Sequence, residues 1–205
     1  MKNKFIGTEN RGRYSLLCAV ILAALFALPT AAYAQQTYQL GGKGPAGGLV
    51  FYDKGRVTDG WRYLEAAPVE AEFNAEWGLS GQEIAGLSEA AGSGGNNTRL
   101  IVERLNQNGE SGKAAQLCAG LNYGGYRDWF LPSKSELDLM YRNLEQKGLG
   151  DFTGKKEWYD PCTYWSSSQN AGLPGTNAWE QSFRNGRQAS NVKPTKFYVR
   201  PIRAF

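Results

Sequence analysis

Histidine is missing from all 205 residues. That absence removes imidazole general-base catalysis, the Ser-His-Asp triad and every metal site that needs a histidine ligand. Long hydrophobic runs are scarce as well. The longest, Leu16 to Leu28, has 13 residues, short of the roughly 20 that cross a bilayer. Cysteine appears three times, at 18, 118 and 162. No G-x-x-x-x-G-K-S/T phosphate loop is present, and no G-x-G-x-x-G leads from a strand into a helix. Ser166-Ser167-Ser168 has no G-x-S-x-G elbow or S-x-x-K partner, so small hydroxyls in or beside a strand are the expected reading. No EF-hand spacing occurs, and no metal ligand set or cofactor is expected.

What is present begins with an export signal. Lys2, Lys4, Arg11 and Arg13 precede the short apolar run, Pro29 breaks it, and Ala32-Tyr33-Ala34 supplies small residues two apart. This order predicts a cleavable signal peptide over 1–34 and a periplasmic or extracellular destination. Cleavage corrects the charge. The whole chain carries 23 basic and 19 acidic residues, and the leader takes four and one of them, leaving 19 against 18. A formal balance of +1 gives no reason to expect a nucleic-acid partner, and the mature protein has no predicted membrane span. In an oxidising compartment Cys118 and Cys162 are expected to pair. The bridge would close a loop of about 45 residues, worth roughly 4 kcal/mol in the chain-entropy account.

The mature length suits one domain. Residues 35–43 read as a flexible N-terminal segment and 44–205 as the domain. Leu49-Val50-Phe51-Tyr52 reads as a strand ending at Asp53-Lys54-Gly55, and Trp61 to Glu65 as its antiparallel partner. Residues 68–97 are polar and loop-like. Three helices follow, over 98–107, 112–121 and from Ser133 onward. In the third, Ser133 as N-cap with Glu136 three residues on forms a capping box. Apolar residues at 137, 140, 141 and 144 give its buried stripe. Strand candidates return at 164–168, 178–183 and 197–203, with Asn185-Gly186 as a turn. Strands, then helices, then strands predict an α+β fold with antiparallel sheet and long loops.

Six tryptophans occupy positions 61, 77, 129, 158, 165 and 179. Trp158-Tyr159 reads as loop-borne, and aromatic faces beside polar groups suit sugar rings. The stretch from Arg184 to Lys196 reads as a basic cluster.

At Gly124-Gly125-Tyr126-Arg127-Asp128-Trp129-Phe130-Leu131-Pro132-Ser133-Lys134-Ser135-Glu136-Leu137 the chain resembles the bacterial Lcl C-terminal domain family, named for a collagen-like adhesin. Gly44 to Tyr52, Gly60 to Pro68, Ala114 to Cys118, Tyr164 to Ser168 and Val199 to Arg203 resemble further parts of it. The resemblance implies a C-type-lectin-like fold, shared with formylglycine-generating enzymes, with small antiparallel sheets, about three helices and long loops. It implies a module that binds carbohydrate or anionic polysaccharide, with a glycan or a cell-surface protein as partner. Composition and position then nominate Trp158, Tyr159, Trp179, Arg184, Arg187, Lys193 and Lys196 as ligand contacts. Two alternatives stay open: a copper-dependent oxidase of the formylglycine-generating type, whose thiolates would have to converge, and a structural protein-interaction module.

Overall fold

A computed structural model describes residues 36–153, 156–157 and 159–205. The export-signal reading and Trp158 lie outside the described residues. From Thr37 to Phe205 the chain forms one unit of α+β architecture. A three-stranded sheet runs in the order β1 (Leu49–Thr58), β2 (Trp61–Ala66), β8 (Ile202–Ala204). A five-stranded sheet runs β3 (Phe73–Glu76), β7 (Lys196–Val199), β4 (Thr163–Gln169), β5 (Asn177–Ser182), β6 (Gln188–Val192). Every pairing is antiparallel except that of β4 with β7.

The first hairpin extends beyond the expected end at Gly55. Asp59 and Gly60 both hold positive φ, 53° and 81°, between paired Thr58 and Trp61. Positive φ at both central positions defines a type I′ turn, whose twist matches that of the strands, and Asp-Gly is suited to it. The loop-like stretch 68–97 contains β3, which pairs with β7 through Phe73↔Val199. Asn185-Gly186 lies in a longer connection closed by Ser182 N–H donating to Arg187 O at 2.9 Å.

The helices are α1 (Gly94–Gln107), α2 (Ala114–Ala119) and α3 (Lys134–Asn143). The expected capping box is present at α3. Ser133 Oγ accepts from Glu136 N, and Glu136 Oε2 accepts from Ser133 N at 2.7 Å. The other oxygen of Glu136 accepts from Gly92 N at 2.7 Å, which ties a distant loop to the helix start. The side chain is fully buried, and burial raises its pKa against these hydrogen bonds. A Cβ on Gly94 would lie 2.3 Å from Glu136 Oε2, so only glycine fits there.

Alternation along β4 divides the core. Trp165 joins Trp77, Leu79, Ile101, Leu105 and Cys118 beneath α1 and α2. Tyr164 joins Phe51, Leu137, Met140, Phe152, Phe183 and Cys162 beneath α3. Successive strand side chains point to opposite faces, so the sheet stands between the two thiols. The expected disulfide is therefore corrected: Cys118 and Cys162 are both free and buried. A bridge needs Cα atoms within about 7 Å, and two side chains packed into separate clusters do not converge. Burial raises both thiol pKa values, which disfavours the thiolate.

Candidate functional site

The signature loop 123–130 is pinned at almost every residue. Tyr123 and Tyr126 exchange backbone hydrogen bonds at 3.1 and 3.0 Å. Gly124, at φ 61°, passes so close to Ala46 that a Cβ would sit 2.1 Å from its carbonyl oxygen. Trp129 is buried among Ala46, Ala67 and Ala71 and donates from Nε1 to Tyr123 O at 3.3 Å. Phe130 exchanges backbone hydrogen bonds with Ile202 of β8 at 2.8 and 3.0 Å.

The strongest anchor is Arg203. Its Nε and Nη2 donate to the two oxygens of Asp128 at 2.8 and 2.9 Å, a bidentate pair. Its Nη1 donates to Glu65 Oε1 at 2.8 Å, and its guanidinium lies 3.8 Å from the Tyr126 ring centre. The Arg203 guanidinium holds the Asp128 carboxyl below its ordinary range. Burial pushes Glu65 the other way, opposed by Arg203 and Ala46 N. Glu65 is fully buried, so its charge depends on this partner.

Tyr126 and Asp128 are thus fixed, and Arg127 between them is left over. Among the described residues it has no hydrogen bond or ion pair. It is exposed and lines a groove of about 570 Å³ between the loop and α1. The floor is apolar, from Val102, Trp129 and Phe130. The far wall is one α1 face, with Thr98, Arg99, Glu103 and Asn106. Arg99 is already engaged by Asn96 at 3.1 Å and Glu103 at 3.5 Å. The groove offers one uncommitted guanidinium, aromatic and aliphatic surface, and flanking hydrogen-bonding groups.

The nominated contacts do not assemble. Arg187 stands in the turn before β6 and Lys196 begins β7 beyond it. They belong to different strands, since β4 and β5 stand between β6 and β7 in the sheet. The basic cluster of the sequence is therefore spread from the β5–β6 turn to β7 on the other side of β4 and β5. Arg184 is exposed but donates to the carbonyl oxygens of Glu157 and Asp160. Lys196 is exposed and faces Glu76 across the β3–β7 pairing. Tyr159 is 69% exposed. Trp179 is half-buried beneath Lys134, whose Nζ stands 3.4 Å from the ring centre.

Lys193 departs furthest from expectation and is corrected from surface contact to core tie. It is fully buried. Its Nζ donates to Gln82 O at 2.6 Å, Pro174 O at 2.8 Å and Gln169 Oε1 at 3.0 Å, with Leu79 O at 3.4 Å. Burial pushes its pKa down to about 8, yet every neighbour is an acceptor, as an ammonium requires. The charge joins the loop after Trp77 to the loop after β4 and cannot meet a ligand.

Sequence reasoning read the signature loop as a fold marker and passed over Arg127. The available signal was a lone arginine between an aromatic and an acid, but its freedom depends on the Asp128–Arg203 pair, whose partners lie 75 residues apart.

The model of the Lcl C-terminal domain family matches residues 69–203, which include the loop, α1 and Arg203. A search of the curated proteins gives no match.

Proposed function

The chain belongs to the Lcl C-terminal domain family, and on that footing we propose that it is an exported binding module for carbohydrate carrying anionic groups. The observation that carries this reading is Arg127, an unpaired guanidinium on a rigid loop above an apolar floor. A guanidinium matches sulfate or carboxylate through paired N–H donors. Half-buried aromatic surface accepts the less polar face of a sugar ring. Rigid anchoring by Arg203 means that little loop freedom is lost on binding, which favours affinity. The export pattern at the N-terminus supports a ligand met outside the cytoplasm.

The thiols sit in separate core clusters with raised pKa values, and this leaves the oxidase alternative without a converging pair among the described residues. Binding in the groove also predicts a weak dependence on salt. Each cation that contacts a polyanion adds about one to the slope of log affinity against log salt, so short ligands should give a slope of about −1. Titration of the mature protein with heparin and with neutral dextran tests the reading. Heparin should bind and Arg127→Ala should weaken it by about tenfold. Equal binding of both polymers, or full heparin binding by the variant, would overturn it.

A further inference from the structure

A second cleft, of about 480 Å³, lies at the tip of the β1–β2 hairpin. Tyr52 and Trp61 give it two partly exposed rings with centres 6.3 Å apart. Lys54 donates one N–H to Thr58 O at 2.5 Å and places its ammonium 3.6 Å from the Trp61 ring centre, which leaves two donors for a ligand, and Asp59 completes that side. The opposite side is Ala91, Gly92 and Ser93.

That opposite side leads directly to the first groove. Gly92 and Ser93 line the hairpin cleft, and Gly95 and Thr98 line the groove. From Gly92 to Gly95 is three peptide steps, at most about 11 Å. The intervening ridge carries no side chain that stands up into a ligand's path. Three of its four residues are glycine. The fourth, Ser93, turns its hydroxyl inward to Ala90 O at 2.6 Å and Ser88 O at 3.1 Å. Packing keeps the ridge low. A Cβ on Gly92, at φ 89°, would approach Trp61 Cζ2 to 3.1 Å, and Gly94 has no room for one.

We propose that the two clefts are subsites of one track, which takes a linear anionic oligosaccharide across the glycine ridge. This rests on the groove reading above and extends it. One subsite supplies Arg127 and the Phe130 edge, the other Lys54 and the Tyr52–Trp61 pair. A ligand long enough to reach both gains the second contact at high effective concentration. A ligand confined to one cleft gains nothing from the other. The occupant is therefore an internal stretch of polymer rather than a single terminal sugar.

Heparin-derived di-, tetra-, hexa- and octasaccharides, titrated calorimetrically against the mature chain, test this. Affinity should rise about tenfold or more between the disaccharide and the hexasaccharide and then level off. The salt slope should move from about −1 to about −2 over the same range. Lys54→Ala, a change at the hairpin surface, should abolish the rise and leave disaccharide binding intact. Trp61→Ala should do the same, and its circular dichroism reports whether the hairpin survives. If short fragments bind through Arg127 but length brings no gain, or the gain survives both substitutions, the track is wrong and the groove stands. If no fragment binds at any length, both fall.

Discussion

The hairpin region 184–196 and the signature loop 123–130 treat positive charge in opposite ways. The region holds four cations, and the fold separates or engages them: Arg184 on backbone carbonyls, Lys193 inside the core, Arg187 ahead of β6 and Lys196 on β7. The loop holds one cation, and the fold spends three other residues, Asp128, Arg203 and Glu65, on fixing its surroundings. Density of charge along a chain says little about density in space. A single guanidinium freed of partners on a rigid loop is better placed to bind than several that are dispersed.

The comparison breaks most readily at Arg203. Arg203→Met leaves Glu65 buried without its partner, a class of change that costs about 3–5 kcal/mol. Urea unfolding should show that loss, and heparin affinity should fall in the fraction that remains folded. A mild loss would mean that the loop is held by its backbone alone.

Lys193→Met comes next. It leaves the carbonyls of Gln82 and Pro174 without a donor, while Leu79 O and Gln169 Oε1 keep one each from Gln82 N and Ile84 N, at about 2–4 kcal/mol. Thermal unfolding should register this, and heparin affinity at a temperature where the variant is folded should stay within twofold. Lost affinity with intact stability would return Lys193 to the surface role that the sequence suggested.

Arg184→Ala and Arg187→Ala sharpen the contrast from the hairpin side. Each should change heparin affinity by less than about twofold and stability by no more than about 0.5 kcal/mol.

A pH-dependent effect concerns Glu180, whose Oε2 is buried without a partner among the described residues. Burial pushes its carboxyl up to about 7, against the pull of Arg187. The raised pKa means that its contribution to stability is full below about 4.5 and is lost as pH rises through 7. Glu180→Gln should match the wild type at pH 4 and exceed it at pH 8 by about 1 kcal/mol, the full shift being reduced by solvent screening of this half-buried group. Equal stability of the two proteins at both pH values would show that Glu180 is solvated.

Local signals carried much of the architecture. Ser133 with Glu136 announced α3 because both partners of a capping box lie within one turn. The β1–β2 pairing was legible from alternation, though Asp59-Gly60, the stronger turn signal, marks the turn two residues wide. Strand β6 was not legible, since Gln188 to Val192 is polar and only its pairing with β5 makes it a strand. The thiols were paired on grounds of compartment, and the error came from topology: β4 alternation sends their clusters to opposite faces. The site was the least legible part. Arg127 is free and Lys193 is not because of contacts 75 and 111 residues apart, and no window on the sequence spans them.

The central claim is that anion recognition belongs to the loop and not to the hairpin. Arginine Nε–Hε spectra of the mature chain, recorded during titration with a heparin tetrasaccharide, test it most directly. The account predicts that the Arg127 signal shifts and saturates while those of Arg184 and Arg187 stay in place. Movement of the Arg184 and Arg187 signals with Arg127 unchanged would contradict it.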